Sequence, residues 1–176
     1  MTALILGGAA SGKSEYGERL ALSLPRRGEL LYLATMEPAG GEAEARIRRH
    51  RALRAGKGFQ TWERPKNLAG CPLPEGGTVL LEDLGNLAAN ELFSCEPLDP
   101  EGAFSRIWAG LQHLRGRAEH LIVVSCDLHR DGEGYPPETA AYLDLTARLH
   151  RALAAQGDLV AEVVCGLPVI WKGETA

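Results

Sequence analysis

Thr2-Ala3-Leu4-Ile5-Leu6-Gly7-Gly8-Ala9-Ala10-Ser11-Gly12-Lys13-Ser14 runs from a short apolar stretch into glycines and then into a segment with helical spacing. Every fixed position of G-x-x-x-x-G-K-[ST] is met, and the motif stands between a buried strand and a helix, the context it requires. Glycines let successive backbone N–H groups turn inward as an anion nest, and the helix that follows adds the positive end of its dipole. On this reading Gly7, Gly8, Ala9, Ala10, Ser11 and Gly12 wrap the phosphates of ATP or GTP. Lys13 reaches the β- and γ-phosphates, and the Ser14 hydroxyl ligates Mg2+. An ordinary glycine-rich turn would place no such demand on the lysine and serine.

Apolar runs without clean polar alternation recur at Ala3–Leu6, Glu29–Ala34, Thr78–Leu81, His120–Ser125 and Leu159–Val164. Such runs suit strands buried on both faces of a largely parallel sheet. Between them Lys13–Leu24, Gly41–Ala55, Leu84–Phe93, Pro100–Gly116 and Pro137–Ala155 carry helical spacing. The alternation predicts an α/β fold of the P-loop NTPase, RecA-like type, a three-layer sandwich around a mostly parallel sheet. The tail from Val163 to Trp171 reads as two strands around a Gly/Pro turn, an antiparallel edge near the C-terminus. Pro65–Gly77 and Gly132–Pro137 read as loops, and there is no internal repeat, so residues 1–176 are expected to form one nucleotide-binding domain.

With 176 residues, 45% of them apolar, the chain is long enough to bury one sizeable core. Nineteen basic residues against 23 acidic ones leave a net charge of −4, which offers no global field for DNA or RNA. Cys71, Cys95, Cys126 and Cys165 form no C-x-x-C pair and are expected to be reduced and mostly buried. No basic region precedes the first apolar run, and no stretch approaches the roughly 20 apolar residues of a membrane span, so the expected location is the cytoplasm.

An acidic residue at the end of a buried strand completes a P-loop metal site. Val79-Leu80-Leu81-Glu82-Asp83 offers two, and strand alternation lets only one of them face the site. Further back, Glu44 to Arg54 is a basic segment in which Arg46, His50 and Arg54 share a helical face. Crowded arginines, Arg51 among them, repel an imidazolium and so favour the neutral ring, and a triphosphate would relieve the repulsion. Arg54 could then hold a β- or γ-phosphate, and neutral His50 is a competent nucleophile. The competing reading is a solvated basic face. His113 and His120 read as surface or strand-flanking residues, and His129 with Asp127 and Asp131 as a solvated loop.

Several blocks occur in family order: Gly7–Ser14, Tyr32-Leu33-Ala34-Thr35, Arg46-Ile47 with His50-Arg51, Phe59 to Glu63, Leu80 to Asp83, Asn90 to Phe93, and Val163 to Pro168. In these the chain resembles the bifunctional adenosylcobinamide kinase/adenosylcobinamide-phosphate guanylyltransferase family of cobalamin biosynthesis. The resemblance implies a transferase, often a homotrimer, that phosphorylates adenosylcobinamide with ATP or GTP. It implies a second step in which GMP passes from GTP through a guanylylated histidine to give adenosylcobinamide-GDP. Carried over by motif, that histidine is His50. Gly7–Ser14, Ala34, Thr35, Met36, Glu63 and Glu82 then surround the nucleotide, with Ser14 and Glu82 on Mg2+. The chain departs from the pattern at Ala10, where the family has arginine, and from Ser125 to Pro136. Two other readings share the P-loop: a single-activity kinase or NTPase, and a non-catalytic nucleotide-binding regulator.

Overall fold

Seven strands form one sheet in the computed structural model, which describes residues 1–37, 48, 52, 55–128 and 134–174. They are β1 (Thr2–Gly7), β2 (Leu30–Ala34), β3 (Gln60–Glu63), β4 (Thr78–Glu82), β5 (His120–Cys126), β6 (Leu159–Val164) and β7 (Leu167–Lys172). Their order across the sheet is β3-β2-β4-β5-β1-β6-β7. All neighbours are parallel except β6 and β7, so the antiparallel edge expected at the C-terminus is present. Four helices are described: α1 (Lys13–Ser23), α2 (Leu84–Leu92), α3 (Pro100–Arg117) and α4 (Pro137–Gln156). Of the helix expected over Gly41–Ala55, the described residues Arg48 and Ala52 are helical and Ala55 is in a turn; the rest, with Arg46, His50, Arg51 and Arg54, lies outside the described residues. His129 and Asp131 lie outside them too.

Period-two alternation in buried strands feeds two separate cores. Ala3, Ile5, Leu80, Ile122, Val124 and Ala161 face α1, packing with Tyr16, Leu20 and Ala21. Leu4, Leu33, Val79, Leu81, Leu121 and Val123 face the opposite way, against side chains of α2, α3 and α4. This is the three-layer arrangement read from the runs. Helix starts are set by local chemistry: Asp83 Oδ1 accepts the Asn86 N–H at 2.6 Å, and Asp99 Oδ1 accepts the Gly102 N–H at 2.9 Å ahead of Pro100 in the first turn.

Two features differ from expectation. β3 was read only as a motif block, because Gln60–Glu63 is largely exposed and carries no apolar run. It pairs with β2 from Leu31–Gln60 to Ala34–Glu63 and forms the far edge of the sheet. The four thiols are unpaired, but Cys95 and Cys165 are exposed rather than buried, since both sit in connections between elements. Among the described residues no helix is long and apolar enough to cross a membrane.

Two glycines on α3 test the packing. A Cβ on Gly110 would come within 2.5 Å of Leu68 Cβ and 3.2 Å of the Ala69 nitrogen, in the short 3-10 turn under the helix. A Cβ on Gly116 would meet nothing within 4 Å. Gly116→Ala should raise stability by about 0.5–1 kcal/mol through helix propensity. Gly110→Ala, which gains the same propensity but overpacks, should lower it by about 1–2 kcal/mol. Urea midpoints of the two variants read the opposite signs directly.

Candidate phosphate-binding site

The chain leaves β1 at Gly7 and enters α1 at Lys13, so the motif residues form the loop at the carboxyl edge of the sheet. Gly7 tolerates no side chain: a Cβ there would lie 2.4 Å from Ser11 Oγ and 2.7 Å from the Val163 carbonyl oxygen. Gly12 sits at φ 92°, in the left-handed region, and caps α1 without a side-chain hydrogen bond. The first amides of α1 therefore have no capping side chain competing for them. Lys13 is 8% exposed and folds back so that Nζ donates to the Gly8 carbonyl at 3.1 Å.

Alternation from Leu80, which faces α1, puts Glu82 on the same side. There Ser14 Oγ donates a short hydrogen bond to Glu82 Oε1. Burial pushes the Glu82 carboxyl up to about 7, with Asp83 and Glu18 acting in the same direction and the Ser14 hydrogen bond and Lys13 opposing them. Asp83 is occupied at the start of α2, as described, so the choice left open between the two acids falls on Glu82 for position. A hydroxyl and a carboxylate in contact beside a lysine are hard oxygen donors of the kind Mg2+ takes together with phosphate oxygens and water. Among the described residues no group of three or more His, Cys, Asp or Glu side chains is placed to hold a metal by itself.

The remaining candidates are placed unevenly. Register sets Ala34 opposite both Glu82 of β4 and Glu63 of β3, so the three lie in one row at the carboxyl edge, Glu63 exposed. Thr35 is different. Its side chain is 0% exposed, its hydroxyl donates to the Asp83 carbonyl at 2.7 Å, and its N–H donates to the Glu82 carbonyl at 3.0 Å. Asn90 Nδ2 in turn donates to the Thr35 carbonyl at 2.8 Å. Thr35 therefore knits the end of β2 to the end of β4. Met36 is half-buried just beyond it.

Two contacts escaped sequence reasoning. Lys57 Nζ meets Glu18 Oε2 at 2.6 Å, with the Glu18 side chain 8% exposed one turn after Ser14 on α1. An acid at i+4 from the motif serine, on the buried face, was the available signal. His150 of α4 and Ser125 of β5 share a buried hydrogen bond at 2.8 Å. His113 and His120 are held at backbone carbonyls, of Cys71 at 2.9 Å and Pro25 at 2.7 Å.

A strand, a glycine loop, a lysine-led helix and a buried acid at the end of β4, one strand removed across β5, together define a P-loop NTPase-like fold. An ATPase from the type III secretion system of pathogenic bacteria is similar in structure, with a TM-score of 0.56 over 96% of this chain and 56% of that one, at 11% identity. The family model described as cobinamide kinase / cobinamide phosphate guanyltransferase matches residues 3–170, and the chain belongs to that family of transferases. It is 36% identical over 180 residues to the bifunctional adenosylcobalamin biosynthesis protein CobP of Pseudomonas aeruginosa, covering 99% of each. To the bifunctional adenosylcobalamin biosynthesis protein CobU of Salmonella typhimurium it is 28% identical over 184 residues, covering 96% of this chain and 98% of the relative.

The Glu82 environment makes a signed prediction. An acid whose carboxyl rises from 4.5 to about 7 on folding contributes stability that is present below 4.5 and lost as pH rises through 7. Glu82→Gln keeps an acceptor for Ser14 but cannot ionise. In the absence of divalent cations it should be more stable than the parent at pH 8, by on the order of 3 kcal/mol. The advantage should vanish by about pH 4.5; urea midpoints across this range measure it, and an advantage independent of pH would refute the assignment.

Proposed function

We propose that this protein phosphorylates adenosylcobinamide with ATP or GTP and then converts the product to adenosylcobinamide-GDP with GTP. The observation that carries the reading is the Ser14–Glu82 contact beside buried Lys13, in a chain of this family. In the first step the substrate hydroxyl attacks the γ-phosphorus, its bond to the β-phosphate oxygen breaks, and the nucleoside diphosphate leaves. Lys13 holds the β- and γ-oxygens, and the loop amides of Gly7–Ser14 take up the charge that develops on them. Ser14 and Glu82 would hold Mg2+, which would supply positive charge to offset the charge developing on the transferred phosphate. Ala34, Met36 and exposed Glu63 line the edge on which the nucleoside would lie.

In the second step a His50 ring nitrogen attacks the α-phosphorus of GTP and pyrophosphate departs. The corrinoid phosphate then attacks the guanylyl phosphorus and frees the histidine. Arg51 and Arg54 neighbour His50 in sequence and would stabilise the departing pyrophosphate while keeping the ring neutral. The protein would act in the cytoplasm as a homo-oligomer, in the trimeric form the family often takes.

Lys13→Ala should reduce both reactions by at least about a hundredfold, the scale of losing one electrostatic contact to the transition state. Near-normal turnover by folded Lys13→Ala would remove the central claim. His50→Ala should separate the steps. With α-labelled GTP the parent should carry acid-labile label and His50→Ala none, while part of the adenosylcobinamide phosphorylation survives. Equal loss of both activities in a folded variant would instead make His50 a phosphate clamp.

A further inference from the structure

The closing block from Val163 to Pro168 has no part in the chemistry above, yet it touches the phosphate loop. β6 and β7 pair up to Val164–Leu167, which leaves Cys165 and Gly166 as a two-residue hairpin loop. Both have positive φ, 50° and 81°, the combination of a type I′ turn. In such a hairpin the ladder closes between the flanking residues, so the N–H of the second loop residue points outward unused. Here it is used: Gly166 N–H donates to the Ser11 carbonyl at 2.8 Å. The approach is close, since a Cβ on Gly12 would lie 3.2 Å from Gly166 Cα.

We propose that the Cys165–Gly166 turn is a positioning element of the phosphate site, in which the Gly166 N–H fixes the peptide plane between Ser11 and Gly12. A trans peptide points its C=O and N–H in opposite directions. Holding the Ser11 carbonyl against the hairpin therefore turns the Gly12 N–H away from the hairpin. The other end of the loop is held alike: the Asp127 N–H, at the exit of β5, donates to the Gly7 carbonyl at 3.1 Å. Gly166 thus acts through Ser11 and Gly12, not on the ligand itself, and the inference rests on reading Gly7–Ser14 as the nucleotide site.

Hydrogen exchange on the 15N-labelled parent tests the contact without a mutation. The Gly166 amide should exchange at least about tenfold more slowly than an unstructured glycine amide, and more slowly again with saturating GTP and Mg2+. Leu167, held within the hairpin ladder, should not respond to nucleotide. Gly166→Asn tolerates the left-handed conformation, keeps the N–H and has open space for its Cβ, so its GTP affinity should stay within about threefold of the parent. Gly166→Pro removes the N–H and should weaken GTP binding by about tenfold or more. An unprotected Gly166 amide in the parent would overturn the proposal whether or not the proline variant folds, as would a folded Gly166→Pro that binds GTP like the parent. Failure of the parent itself to bind GTP or ATP, with Gly166 protected, would overturn the nucleotide reading instead.

Discussion

A loop that grips an anion with its backbone has to keep a row of N–H groups available, and that requirement governs everything around Gly7–Ser14. Each available N–H belongs to a peptide whose carbonyl points the other way and needs a partner of its own. Some partners come from distant parts of the chain and some from the loop and helix themselves. Gly7 oxygen is met by Asp127 after β5 and Ser11 oxygen by Gly166 in the last hairpin. Gly8 oxygen takes both Lys13 Nζ and the Ser11 N–H, while Gly12 oxygen takes the Tyr16 N–H as α1 begins. The loop is shaped from outside as much as by its own glycines.

Charge beneath the loop follows a second rule, that buried acids need cations close by. Glu18, Glu82 and Asp83 lie close enough to influence one another, and the described positive charges near them are Lys13 and Lys57. Lys57 answers Glu18, and Asp83 is turned away to the α2 amides. Burial, with Asp83 and Glu18 close by, raises the Glu82 carboxyl to about 7 against the Ser14 hydrogen bond and the Lys13 ammonium, which both favour the charged form. A protein that wanted only stability would have placed an apolar residue there.

What could be read in advance was whatever repeats along the chain or is fixed by short-range spacing. β1, the phosphate loop and α1 were legible because an apolar run, four motif positions and a helical spacing coincide. The five interior strands were legible because burial on both faces leaves unbroken apolar runs. β3 was not, since an exposed edge strand needs none, and only its pairing with β2 reveals it. Glu82 and Asp83 could not be separated by alternation without knowing which face of β4 meets α1, although an Asp just before the apolar run of α2 was already a capping signal. Thr35 was placed at the nucleotide by its motif, but its threonine hydroxyl serves the join between two strands. The Gly166–Ser11 and Lys57–Glu18 contacts link residues far apart in sequence; the place of Glu18 on the buried face of α1 hints at a partner, but no local pattern names Lys57 or Gly166.

The sheet order also has a temporal side. β1 is made first, yet it pairs with β5 and β6, with Thr2 opposite Leu121 and Ala3 opposite Leu159. The N–H of Thr2 and the side chain of Asp158 close the same junction at 2.7 Å. Until residues beyond 158 have left the ribosome, the strand that carries the phosphate loop has at least one bare edge. β2, β3 and β4 can pair in the meantime without it. Pairing so remote in sequence makes loop closure the slow part of folding and leaves a hydrophobic strand waiting. Nascent chains cut short before β6 should consequently be clients for chaperones rather than weak nucleotide binders, because the site and the last third of the fold come into being together.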